Sequence, residues 1–162
     1  MSIIVAERFH DISCGHRVYG HESKCAHLHG HNYRVHFLCR ANDSALPVDR
    51  IGRVIDFSVI KSLLCMPMEE MWDHKMLLWQ EDPWSVDLSM LDSTVVVLPF
   101  NPTAENIAQY LLRIWGPLQL RGTGVYIQKV TVEETRKCSA QAIFDPLDPF
   151  IPLPDISEFE GE

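Results

Sequence analysis

Residues 25–33 read Cys25-Ala26-His27-Leu28-His29-Gly30-His31-Asn32-Tyr33, and they run on into Arg34-Val35-His36-Phe37-Leu38-Cys39 without a further Gly and without Pro. Tyr33, Val35 and Phe37 favour extended backbone, so 31–39 reads as a strand that the histidines enter. Residues two apart on an extended chain project to the same side, which aims His29 and His31 at one point. A third donor is then wanted. Residues 2–9, with Ile3, Ile4 and Val5, form the other N-terminal strand candidate, and His16 downstream of it is well placed. His27 shares the parity of His29 and His31 and stays open as a ligand; it ranks below His16 because residues ahead of a strand need not be extended. Three neutral imidazoles leave one tetrahedral position of a Zn²⁺ ion free, the pattern of a catalytic rather than a structural site. His10, His21 and His36 read as solvated or internally satisfied, and His36, of opposite parity, faces away.

Working outward, the 162 residues are 46% hydrophobic and 22% charged, enough for one domain with one core. Collagen-like, coiled-coil and wholly disordered classes are excluded. The net charge is −8, yet six of the 22 acids lie in 145–162, after the last base, Lys137. The body, 1–144, therefore sets sixteen acids against fourteen bases and is close to neutral. The domain is read as 1–144, followed by an acidic, Pro-containing tail over 145–162. Such a balance argues against a nucleic-acid partner but not against a small phosphorylated one, with Lys24, Arg34 and Lys75 the bases nearest the motifs. Apolar runs fall far short of the roughly 20 residues a membrane span needs. Five irregularly spaced cysteines without a leader segment point to the reducing cytoplasm.

A helix is expected from Asp56, an N-cap candidate, to Met71, with Pro67 breaking or kinking it. Another opens at Pro102-Thr103-Ala104-Glu105-Asn106, presents Ile107, Tyr110, Leu111 and Ile114, and is expected to stop at Gly116-Pro117. Residues 79–93 read as a long surface loop, followed by a short strand at Val95–Leu98. Residues 123–134 alternate as a long strand and 138–144 as its hairpin partner. The order ββααββ gives an α+β fold, a four-stranded antiparallel sheet with both helices on one face.

Further chemistry gathers around these elements. Cys25 is the one cysteine within the histidine cluster, where positive charge favours a thiolate able to act as base or nucleophile. Cys39, Cys65 and Cys138 read as small core residues, and Cys14 is undecided. In Asp73-His74 the carboxylate can orient the imidazole for proton transfer. Glu134, at the end of a strand, can accept two parallel N–H bonds from a flat amidine-like edge such as that of a pterin or guanine.

Together, Cys14-Gly15-His16-Arg17, Cys25 to Tyr33, Val54-Ile55-Asp56-Phe57, Asp73-His74-Lys75, Pro102 to Asn106 and Val132-Glu133-Glu134-Thr135 resemble, in order, the 6-pyruvoyl-tetrahydropterin synthase superfamily. The resemblance implies the tunnelling fold, in which sheets of neighbouring subunits close into a barrel, with sites at the interfaces of a trimer-based oligomer that can extend to a hexamer. It also implies Zn²⁺ on His16, His29 and His31, a proton-transfer set of Cys25, Asp73 and His74, and a pterin anchor in Glu134 assisted by Thr103. The implied substrate is 7,8-dihydroneopterin triphosphate. Three residues between Cys25 and His29 are similar to the carboxytetrahydropterin branch of 7-deazaguanine (queuosine-type) biosynthesis, a zinc-dependent lyase releasing acetaldehyde and triphosphate. The alternatives are the pyruvoyl branch, which eliminates triphosphate only, and a pterin-binding metalloprotein without catalysis. The segment between His16 and Cys25 is shorter than usual for the family.

Overall fold

The computed structural model describes residues 2–148; residues 149–162 of the expected tail lie outside it. The elements are β1 (Ala6–His16), β2 (His29–Ala41), α1 (Phe57–Ile60), α2 (Met66–Trp72), β3 (Met76–Trp79), α3 (Ser85–Leu91), β4 (Val96–Leu98), α4 (Ala104–Tyr110), α5 (Gly116–Gln119), β5 (Val125–Glu133) and β6 (Ser139–Ile143). They form an α+β fold around a six-stranded sheet in the order β4-β3-β1-β2-β5-β6. The expected antiparallel set is there as β1, β2, β5 and β6, but the four-stranded sheet is too small. β3 and β4 extend it beyond β1 and run parallel to their neighbours. Parallel neighbours require a crossover, and α3 supplies it between β3 and β4. Hence 79–93 is no surface loop.

That added unit is held by charge as well as packing. Asp82, with its side chain wholly buried, lies 2.6 Å from Arg17 Nε, and the Arg17 guanidinium stacks 3.6 Å from the centre of the Trp84 ring. The other Asp82 oxygen accepts the Trp84 backbone N–H at 2.9 Å. Separating such a pair leaves an uncompensated buried charge, which costs about 3–5 kcal/mol.

β1 is longer and begins later than expected: Ile3, Ile4 and Val5 precede it and are exposed, while it runs on through His16. On β2, Tyr33, Val35, Phe37 and Cys39 face a core closed by Ile60, Leu64, Met68, Trp72, Ile107, Leu111 and Trp115 from the helices. β5 changes parity midway, with Val125 and Ile127 buried on its first half and Val130 and Val132 on its second. A bulge explains this. Leu38 pairs with Lys129 and Cys39 with Ile127, so Gln128 is an extra residue in the ladder.

Neither proline ends its helix. α1 passes through a π-helical turn, Lys61–Cys65, into α2, and α4 passes through another, Leu111–Trp115, into α5. In both cases the proline, Pro67 or Pro117, opens the segment after the widened turn, so its missing N–H falls where the α-helical ladder is already interrupted. Asp56 caps α1 as expected, its side chain accepting from Ser58 N at 2.8 Å. Gly116 is required by contact: a Cβ there would lie 2.3 Å from Ile127 Cδ1 and 2.5 Å from the Leu111 carbonyl oxygen. Gly116→Ala is expected to destabilise the protein by about 2 kcal/mol or more. A urea-denaturation midpoint equal to that of the wild type would refute this close contact.

Candidate metal centre and active site

The β1–β2 ladder sets His16 opposite His29 and Cys14 opposite His31, with Ile12 opposite Tyr33. His29 and His31 thus continue, toward the sheet's end, the face that Tyr33, Val35 and Phe37 devote to the core. Gly15 faces Gly30 in the same ladder, and a Cβ on Gly30 would press to 3.1 Å against the Cys14 carbonyl oxygen. One ligand atom from each of His16, His29 and His31 lies within 4.8 Å of the others. His27 is exposed and has no part in this cluster; its carbonyl orients His29 instead.

The hydrogen bonds prepare these rings for a cation. His16 Nδ1 donates to the Pro102 carbonyl at 2.7 Å, and His29 Nδ1 donates to the His27 carbonyl at 2.7 Å. In the neutral rings both Nε2 atoms are then unprotonated. His31 Nε2 is buried without a hydrogen-bond partner, 3.4 Å from Glu134 Oε1. Burial above all lowers the His16 pKa to about 4, against a partial offset from the Pro102 carbonyl. Burial also lowers that of His31, with Glu134 acting in the opposite sense. Neutral imidazoles, a buried ring nitrogen without a partner and a nearby carboxylate fit a divalent transition metal such as zinc.

A cleft of about 310 Å³ opens beside His16 and is lined by Cys25, Thr103 and Glu134 as well. Cys25 lies in a 3₁₀ turn, Lys24–Ala26, and is half-buried. Cys14, by contrast, is buried, and burial pushes its thiol up to about 12. Cys39 is buried too and similarly raised to about 12, so Cys25 and Cys138 are the thiols that the cleft exposes. Thr103 caps α4, accepting from Asn106 N at 3.2 Å, while its side chain also lines the cleft. Cys138 is not a core residue: it is exposed, in the β5–β6 turn, and lines this cleft. His21 also lines it, although nothing in its sequence surroundings distinguishes it from a solvated histidine.

Asp73 and His74 do not join Cys25. His74 lines a second cleft of about 510 Å³ with Ser13, His31, Asn32 and Lys75. Asp73 Oδ1 accepts Ser13 N–H at 2.7 Å, and its Oδ2 lies 2.6 Å from His74 Nδ1. The hydrogen bond from Ser13 is the first cause holding the Asp73 carboxyl below its ordinary pKa. His74 adopts φ 57°, left-handed backbone for a non-glycine residue, held by its N–H donating to the Ser13 carbonyl at 2.6 Å. Its side chain is 82% exposed. The imidazole is aligned, strained and turned outward. Of the bases expected near an anionic substrate, Arg34 is engaged by both oxygens of Asp11 and Lys75 Nζ donates to the Glu70 carbonyl at 2.6 Å.

A family model described as 6-pyruvoyl tetrahydropterin synthase matches residues 5–143. The protein belongs to this family. Among curated relatives, 6-carboxy-5,6,7,8-tetrahydropterin synthase of Rickettsia felis is 33% identical over 131 residues, covering 79% of this chain and 91% of the relative. The enzyme of the same name from Haemophilus influenzae is 32% identical over 100 residues, 59% of this chain and 70% of the relative. Among solved structures, an uncharacterised protein of Wolinella succinogenes superposes with a TM-score of 0.76 at 23% identity, over 90% of this chain and all 100% of the other. The 6-pyruvoyl tetrahydropterin synthase of Caenorhabditis elegans gives 0.60 at 24% identity, over 90% and 98%. These structures share the fold. No helix among the described residues is long and apolar enough to cross a membrane.

The burial of His16 makes a pH dependence testable on the metal-free protein. With the folded pKa near 4 and the ordinary value at 6.5, the unfolded chain takes up the proton first as pH falls. The contribution of His16 to stability is therefore expected to decline from pH 6.5 toward about 4 and to change no further below, as read from the difference in urea midpoints between the wild type and a His16 variant. His16→Gln should remove this part of the slope; an unchanged slope would show that His16 does not cause it.

Proposed function

We propose that this chain is a cytoplasmic, zinc-dependent 6-carboxy-5,6,7,8-tetrahydropterin synthase. It converts 7,8-dihydroneopterin triphosphate and one water to 6-carboxytetrahydropterin with release of acetaldehyde and triphosphate, in 7-deazaguanine (queuosine-type) biosynthesis. The observation that carries the reading is one cleft lined by His16 of the three-histidine cluster, by Cys25 and by Glu134, in a chain 33% identical to a relative of that name. In this reading His16, His29 and His31 hold the ion. Bound there, zinc supplies Lewis acidity toward the hydroxyls of the substrate side chain.

The protein's own groups do the rest. Glu134 accepts the N–H edge of the pterin ring, and Thr103 lines the wall beside it. Cys25, as thiolate, removes a proton from the side-chain carbon. His74 carries a second proton on Nε2, since Asp73 holds its Nδ1. Because Cys25 and His74 line different clefts, His74 serves the Cys25 cleft of a neighbouring copy, in a homo-oligomer built on a trimer. The strain and exposure of His74 support this, since an aligned imidazole turned outward has its substrate outside its own chain.

Incubating zinc-loaded protein with dihydroneopterin triphosphate is expected to yield acetaldehyde, triphosphate and a carboxylated pterin by mass. A pyruvoyl product would reassign the branch, and no product would refute the enzyme. His29→Ala should lose stoichiometric zinc, whereas Cys25→Ala should keep it and lose turnover. Cys25→Ala and His74→Ala proteins, each inactive, should regain activity when unfolded and refolded as a mixture, because some interfaces then join an intact Cys25 to an intact His74. Absence of any recovery from properly assembled mixtures would place both residues on one chain's site.

A further inference from the structure

His21 is the one group lining the Cys25 cleft whose hydrogen-bonding state is set by the backbone and whose purpose the reaction above leaves open. It belongs to a short loop closed on itself: Val18 N donates to the Cys25 carbonyl at 2.8 Å, and His21 N donates to the Val18 carbonyl at 3.1 Å. Gly20, at φ 87°, supplies the left-handed turn just before it. His21 and Cys25 are thereby carried on one small rigid frame. His21 Nδ1 accepts the Ser23 backbone N–H at 2.9 Å. The proton of the neutral ring therefore resides on Nε2, leaving an N–H donor as the ring's free polar group. Glu22 approaches the other ring nitrogen, Nδ1, at 4.0 Å, and its side chain is 88% exposed.

The segments that line the cleft differ in charge. The start of α4 and the β5–β6 turn contribute both of its carboxylates, Glu105 and Glu134. The segment from His16 to Cys25, which contributes His16, Val18, His21 and Cys25, adds none. A substrate whose ring edge is held by Glu134 and whose far end is a polyanion must direct that end away from the carboxylates. Exposed Lys24, next to Cys25, adds a positive charge to the same loop. We propose that His21 donates its Nε2–H to the phosphate-bearing end of the substrate and so determines preference for the phosphorylated pterin, an inference that rests on the activity proposed above.

The test compares equilibrium binding of dihydroneopterin triphosphate and of unphosphorylated dihydroneopterin to the zinc-loaded wild type, His21→Ala and His21→Gln proteins, with zinc content measured on each. His21→Ala is expected to weaken the triphosphate about tenfold, the scale of a lost hydrogen bond to a charged group, while binding of the unphosphorylated pterin and zinc content stay unchanged. His21→Gln, whose amide N–H reaches about as far as Nε2, should restore most of the loss. If His21→Ala weakens both pterins equally, or neither, His21 does not read the phosphate and the substrate assignment still stands. Wild-type protein that binds neither pterin overturns the substrate assignment, and the His21 role with it.

Discussion

The register of β1 against β2 is the constraint on which the rest depends. With His16 opposite His29 and Cys14 opposite His31, the stripe of side chains that builds the core farther along β2 ends in imidazoles. The site is thus a continuation of the core by other residue types. A slip of one residue would turn His29 and His31 to the helix-free face, where Arg34 and His36 lie, and would also expose Tyr33, Val35 and Phe37. The burial energy of three large side chains therefore fixes the position of two candidate metal ligands that contribute little burial themselves. Gly15 and Gly30 let the two strands stay close at this end, and the segment leading into α4 closes the site by presenting the Pro102 carbonyl to His16.

Two halves of the proposed site are held by different means. The histidines sit on strands, and Glu134 directly follows one, whose ladders continue into the core, so their placement is inherited from packing. Asp73 and His74 stand where α2 gives way to β3, and backbone hydrogen bonds to Ser13 fix them there. Both supports converge on β1 and the residue after it: Ser13 holds the dyad, His16 contributes to the cluster, and Arg17 anchors the added strands through Asp82. One strand thereby indexes the dyad and the histidine cluster to a common frame.

What the sequence made legible follows from this division. The parity of His29 and His31, the capping Asp56, the antiparallel core strands and the dyad were readable because each is a local pattern or a short motif. His16 was ranked above His27 only because His27 lies ahead of the strand; the ladder supplies what parity cannot, setting His16 opposite His29. β3 escaped because a run of four residues has no period to detect, and β4, expected as a short strand at Val95–Leu98, could not be placed in the sheet because its pairing is parallel and non-local. Pro67 read as a break or kink and Pro117 as a helix end because a π turn, set by packing, is invisible in residue propensities. Cys138 looked like a core residue because a small thiol is as apt for a core as for a cleft wall, and only the tertiary path of the β5–β6 turn separates the two. Alternation along β5 was blurred by Gln128, whose extra place in the ladder moves the buried positions from odd to even numbers.

His74 carries a lesson for anyone redesigning this chain for robustness. A non-glycine residue at φ 57° costs about 1–2 kcal/mol, and an imidazole 82% exposed returns little of it through packing. Any procedure that ranks substitutions by the stability of the isolated chain would select glycine there, and it would do so at the one position where the fold spends stability to hold an imidazole outward. Thermostabilised variants of such proteins are therefore best chosen with positions 73 and 74 held fixed, since gains made there measure removal of the strain and not improvement of the scaffold.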